Sequence, residues 1–165
     1  MSNDHWNTPP EIRDLCVEVL GRLDFDPCSN STSVLGAAME ITEELDGLAV
    51  RWSNYGRTAL VNPPYSNAAA WLERCAVESE SLDLIALVNV GTATNYWHES
   101  VWPNAAAVCF PKGRIAFLKD GEPVKGNRYE QALVLYSDSR AVLERFITTF
   151  SQIGAVVLIA KEEAA

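Results

Sequence analysis

Histidine is nearly absent from this 165-residue chain, which carries only His5 and His98, and none of its four cysteines forms a Cys-x-x-Cys pair. Ligands so few and so scattered argue against a zinc site, and Cys16, Cys28, Cys75 and Cys109 read as free thiols. Long hydrophobic runs are missing too. The longest, around residues 84–90 and 155–160, fall far short of the ~20 residues that a membrane helix needs. Residues 1–6 lack a basic segment followed by an apolar one, so no secretion signal is read there and a cytoplasmic protein is expected. Positive charge is in short supply: 13 Lys and Arg face 22 Asp and Glu, for a net charge of −9. That balance opposes nonspecific affinity for nucleic acid, because phosphate binding needs cations that displace condensed counterions.

What is present suits one packed core. At 165 residues and 48% hydrophobic, the chain is expected to form a single domain, residues 1–165. Its charge is uneven. Residues 111–128 contain Lys112, Arg114, Lys119, Lys125 and Arg128 against Asp120 and Glu122, a local excess of three, which leaves −12 on the rest. Such a stretch can steer a nucleic acid, or it can be a solvated loop.

Thr8-Pro9-Pro10-Glu11 has the form of a helix start, with Thr8 as N-cap and Glu11 at the capping-box position. Ile12, Leu15, Cys16, Val19 and Leu20 then recur on one helical face, and Gly21 ends it. Residues 23–26 read as a short strand that leads into a turn at Pro27-Cys28-Ser29-Asn30. A weak signal around residues 35–44 suggests a helix. Residues 58–61 form an apolar strand that stops at Asn62-Pro63-Pro64-Tyr65. Ser66 or Asn67 can cap a second helix, with Ala68, Trp71, Leu72, Cys75 and Ala76 on one face. Residues 82–90, 105–110, 131–136 and 155–160 have the near-continuous apolar character of strands buried on both faces, and Val142, Leu143, Phe146, Ile147 and Phe150 outline a helix between the last two. Strands alternating with helices predict an α/β fold with a mostly parallel sheet flanked by helices.

In open α/β sheets, ligands bind beyond the carboxyl ends of the strands. Two loops qualify: residues 26–29 and Asn62 to Tyr65. The second has the sharper chemistry. A conjugated amino group, such as that of adenine, is a poor nucleophile because its lone pair is delocalised into the ring. Two acceptors on its N–H bonds draw the nitrogen toward a tetrahedral form that can attack a methyl group in line. The Asn62 side-chain oxygen and the Pro63 carbonyl can supply them, while Pro64 stiffens the turn and Tyr65 can stack on a flat base. Catalysis then comes from orientation and electrostatic placement, with no metal. The plain alternative is a simple turn.

At these residues the sequence resembles the amino-methyltransferases, whose loop reads (Asp/Asn/Ser)-Pro-Pro-(Tyr/Phe/Trp). More narrowly it resembles the small phage and prophage DNA N-6-adenine-methyltransferase (Dam) family. The resemblance rests on Trp6-Asn7-Thr8-Pro9, Asp26-Pro27-Cys28, Asp46-Gly47-Leu48 with Trp52, Asn62 to Tyr65, and Gly113-Arg114-Ile115-Ala116-Phe117, in that order. It implies a Rossmann-like methyltransferase fold, S-adenosylmethionine as donor, double-stranded DNA as partner and a bacterial host cell as setting. It puts Thr8 and Pro9 near the donor's methionine part and Asp26 with Cys28 in place of a glycine-rich first turn. Asn62 would border the donor as well as the acceptor. Asp46 would meet the donor's adenine or ribose, or else be a solvated carboxylate before a glycine turn. Lys112, Arg114, Lys125 and Arg128 become candidate DNA contacts.

Two departures from larger DNA methyltransferases stand out: no Gly-x-Gly follows the first strand, and 165 residues leave no room for a separate target-recognition domain. A short target sequence or help from a second subunit, as in a homo-oligomer, is the expected consequence. Asn95-Tyr96-Trp97-His98 is read either as a base-stacking cluster or as a helix start with a packed Trp. Two rival functions share the loop: methylation of a protein glutamine, which an acidic chain would suit, and a catalytically silent module that binds DNA or S-adenosylmethionine.

Overall fold

Alternation along the central strands decides the layers of this protein. The computed structural model describes residues 6–161, so the readings of residues 1–5, His5 included, lie outside the described residues. In chain order the strands are β1 (Phe25–Asp26), β2 (Met39–Glu40), β3 (Thr58–Val61), β4 (Asp83–Asn89), β5 (Ala107–Pro111), β6 (Leu118–Lys119), β7 (Glu122–Pro123), β8 (Gln131–Tyr136) and β9 (Gly154–Leu158). The helices are α1 (Pro10–Leu20), α2 (Ala68–Glu78) and α3 (Arg140–Phe150). Leu60, Ile85, Leu87, Leu133 and Leu135 face α1 and α3 through Cys16, Val19, Phe146 and Phe150. The alternate residues Ala59, Val61, Leu84, Ala86, Val134 and Tyr136 face α2 through Leu72 and Cys75. The sheet is therefore covered on both sides, as its apolar runs predict.

The seven-stranded sheet has the order β2-β1-β3-β4-β8-β5-β9. The first four are parallel neighbours; β8 runs against β4 and β5, and β9 runs against β5. Five of the seven strands thus share a direction, and the mostly parallel α/β sheet flanked by helices is as expected. β6 and β7 form a separate hairpin. On the outer face of the helices, the Arg145 side chain donates to the Val19 carbonyl (2.7 Å) and Thr149 to the Glu18 carboxylate (2.9 Å), tying α3 to α1.

Several local expectations are corrected. Pro9, not Thr8, is the N-cap of α1, and no side chain caps that end, so neither Thr8 nor Glu11 plays the capping-box role. Residues 35–44 hold no helix; they carry β2, which pairs in parallel with β1. Asn67 precedes α2 without a side-chain cap bond. β9 is an edge strand with Val157 and Leu158 exposed, not a strand buried on both faces. Trp97 is fully buried, stacked on Phe110, and so is unavailable to a base.

Candidate active site

The parallel strands end in prolines, and these place the chemistry. Pro27 stops β1 just beyond Asp26, and Pro63 stops β3 just beyond Asn62, so both polar residues sit at the carboxyl edge of adjacent strands. After Pro64 the chain makes a short turn, Tyr65–Asn67, and enters α2.

The Asn62 amide is oriented by the chain's own backbone. Its Nδ2 donates to the Trp6 carbonyl at 2.7 Å. A carbonyl oxygen only accepts, so the nitrogen end must face it, and Oδ1 is the end turned away. Trp6 is held there by Asn7, whose backbone exchanges two 2.9 Å hydrogen bonds with Leu118 on β6.

Three spaces surround this loop. One is a cavity of 330 Å³ walled by Trp6, Tyr65, Phe117 and Tyr129, with Asn127 and Arg128 at its polar side. Tyr65 meets Phe117 edge to face, with ring centroids 6.3 Å apart. The second is a cleft of 190 Å³ lined by Cys28, Ser29, Asn30, Thr42, Glu43, Asp46, Asn62, Pro64 and Trp71. The third is a small void of 20 Å³ among Thr8, Asp26, Cys28 and Asn62. Trp6 borders all three.

Asp26 is buried, and its Oδ1 accepts from the Cys28 amide at 3.0 Å. Burial pushes its carboxyl up to about 7, with the nearby Glu40 charge adding to the effect and the Cys28 hydrogen bond opposing it. A buried acid whose carboxyl is raised by desolvation at a strand's carboxyl edge is a candidate for a functional role. The Cys28 thiol is pushed well above its ordinary range, first by burial and then by the Asp26 charge, so it is a neutral packing group. Asp46 has φ 52°, and its carboxylate accepts from the Leu48 amide at 3.1 Å while also lining the cleft. Gly47 receives the Trp52 indole N–H on its carbonyl at 2.7 Å.

Thr8, Asp26, Cys28 and Asn62 are thus brought together, with Asp46 across the cleft, while Pro9 lies just behind as the start of α1. On the other side, Lys112, Arg114, Lys125 and Arg128 are all exposed. Arg128 borders the aromatic cavity, and Arg114 donates to the Asn127 carbonyl at 2.6 Å, bracing the segment that closes it. The Lys119 ammonium stands 5.6 Å over the Trp6 ring. Sequence reasoning missed the wall made by Trp6, Phe117 and Tyr129. Trp6 and Phe117 lie inside recognised motifs, but Tyr129 and Asn7 carry no pattern that would single them out. Among the described residues no cluster of His, Cys, Asp or Glu is suited to a metal, and no helix is long and apolar enough to cross a membrane.

Comparison with known proteins agrees with the loop chemistry. The sequence model of the family described as DNA N-6-adenine-methyltransferase (Dam) matches residues 1–157. A DNA N-6-adenine-methyltransferase of Haemophilus phage HP1 (strain HP1c1) is 29% identical over 140 residues, covering 81% of this chain and 78% of the phage protein. No solved structure matches. The match spans both the Asn-Pro-Pro-Tyr loop and the segments that wall the two spaces beside it: this chain belongs to the Dam family and is a DNA adenine N6-methyltransferase.

Proposed function

We propose that the chain is a Rossmann-like methyltransferase in which the polar cleft takes S-adenosylmethionine and the aromatic cavity takes an adenine turned out of double-stranded DNA. One observation carries this reading: the two spaces meet at a single loop, with Asn62 and Pro64 on the cleft, Tyr65 on the cavity and Trp6 on both. The cleft suits that donor. Asp46, Glu43 and Thr42 match ribose hydroxyls, Ile41 and Trp71 match a purine face, and Asp26 with Thr8, just ahead of Pro9 at the start of α1, lies where the ammonium and carboxylate end would reach. When bound, the donor supplies a methyl group already activated on a sulfonium.

The protein's own residues do the rest. Tyr65 stacks against the adenine within an aromatic enclosure. Asn62 Oδ1 and the Pro63 carbonyl accept the two N6–H bonds, localising the nitrogen lone pair toward the methyl carbon, and the tertiary amides of Pro63 and Pro64 hold that geometry without competing N–H groups. Lys112, Arg114, Lys125 and Arg128 grip the phosphates at the cavity side, which gives an otherwise acidic chain a local cationic face. The chain reads a short target, alone or with a second copy, in the cytoplasm of a phage or prophage host.

The direct test incubates the protein with methyl-labelled S-adenosylmethionine and, separately, duplex DNA, RNA and protein. Label at adenine N6 of DNA is expected. Label confined to protein glutamine overturns the reading.

A further inference from the structure

We infer that Asn7 is a positioning residue for catalysis: it straps the N-terminal segment across the catalytic loop so that the Trp6 carbonyl holds the Asn62 amide with its oxygen toward the substrate. This rests on the proposed acceptor role of Asn62.

Asn7 is buried and saturated with hydrogen bonds in two directions. Its side-chain Nδ2 donates to the Thr32 carbonyl (2.8 Å) and to Thr32 Oγ1 (3.0 Å), and its Oδ1 accepts from Asn30 Nδ2 (2.8 Å). Its backbone pairs both ways with Leu118 on β6. One residue therefore joins the loop after β1 to the β6 hairpin, and its neighbour Trp6 borders both the donor cleft and the aromatic cavity. Trp6, immediately before it, has no freedom left in its carbonyl direction, and that carbonyl meets Asn62 Nδ2 at 2.7 Å.

The consequence for Asn62 is specific. A primary amide that rotates by half a turn exchanges its oxygen for an NH₂ group of nearly the same shape. Turned that way it would offer donors to an amine that needs acceptors. Water does not select between the two, because it accepts and donates alike. A fixed carbonyl does select, since it accepts only. The strap thus acts on the population of correctly turned Asn62 rather than on the shape of the site, and a loss of orientation shows in kcat. Within the Trp6-Asn7-Thr8-Pro9 motif, Asn7 occupies the position that the pattern leaves open, yet it is the one that holds both neighbouring loops.

A double-mutant cycle separates this from ordinary structural support. The partner substitution is Asn62→Asp, which keeps an acceptor but has no NH₂ for the Trp6 carbonyl to hold. Asn7→Ala should lower kcat about tenfold in the wild-type background, with KM for S-adenosylmethionine within about twofold, and should cost less than about twofold in kcat on the Asn62→Asp background. Thr32→Val removes one of the three side-chain bonds at an exposed position and should give a smaller loss of the same kind. It carries the same cycle if Asn7→Ala fails to fold. Equal cost in the two backgrounds, or a loss confined to KM, overturns the positioning role. Full activity of Asn62→Ala would instead overturn the acceptor reading beneath it.

Discussion

Gly47 lies so close to Pro27 that a Cβ on it would stand 1.7 Å from the Pro27 carbonyl oxygen and 2.9 Å from the Trp71 ring. The loop carrying Asp46 is thereby pressed onto the turn that follows β1, and the cleft proposed for the donor lies along this seam.

Gly47→Ala must push the two loops apart, because the opposing atom is backbone and cannot rotate away. It should destabilise the protein by about 2 kcal/mol or more, in the range of overpacked interiors, and weaken binding of S-adenosylmethionine. Thermal unfolding and calorimetry measure the two effects. A variant with wild-type stability and donor affinity would separate the seam from the cleft.

On the proposed reading, Asn62→Ala removes an acceptor from the amine but leaves the donor site largely intact. Turnover should fall by about 10²-fold or more, the loss seen when one preorganised hydrogen-bonding group is removed at a reacting centre. Donor affinity should stay within about threefold, since loss of an interaction made in the transition state leaves ground-state binding little changed. Single-turnover methylation with parallel calorimetry checks both numbers, and retained turnover would remove Asn62 from the chemistry.

Asp26 gives a pH signature. Its carboxyl is held at about 7 in the folded protein against 3.8 ordinarily, so the native state binds the extra proton between those values. Stability from this group is therefore present below about 4, declines as pH rises through about 7, and stays lost above it. Asp26→Asn should flatten that decline and raise the unfolding midpoint at pH 8 relative to wild type. If the ionised carboxylate meets the donor's ammonium, wild-type donor affinity should increase as pH rises through 7, while that of Asp26→Asn stays flat and weaker. Equal affinity of both proteins at pH 8 would take Asp26 out of the donor site.

Replacing Lys112 and Arg114 together with Ala should weaken DNA binding and reduce its log–log salt slope by ~0.9 per lost phosphate contact. Arg114 also braces the Asn127 carbonyl, so Arg114→Lys, which keeps charge but loses the planar fork, should retain the slope and lose part of the activity. An abasic site opposite the target adenine lowers the cost of turning the base out and should partly rescue the double variant. A salt slope unchanged from wild type would put the DNA elsewhere.

The position of the Asn62 loop was legible because a short apolar strand and two prolines leave Asn62 only one kind of place to go, the carboxyl edge of a sheet. Residues 131–136 matched β8 to the residue for a similar reason: after Gln131, five consecutive buried positions write an apolar run. Periodicity says nothing, however, about which strand lies beside which. Residues 155–160 look as apolar as the central strands, yet β9 has a neighbour on one side only, and its Val157 and Leu158 face solvent. Trp97 stayed open between two uses because an indole serves equally as core and as stacking surface, and only the approach of Phe110 decides. Asn7 was invisible: its three side-chain bonds reach residues 30 and 32, a relationship written in the fold alone.

The position of β8 has a bearing on how the molecule is made. β4 and β5 have no hydrogen bonds to each other; each pairs with β8, which leaves the ribosome after both. Until residues 131–136 emerge, the nascent sheet is β2-β1-β3-β4 with an open edge on β4, and β5 is a lone strand, since its other neighbour β9 comes later still. Closure then requires the late strand to slot between them, a non-local step that favours slow folding. A chain halted in the β6–β7 hairpin would carry the whole Asn62 loop and still be unable to assemble the scaffold that aims it.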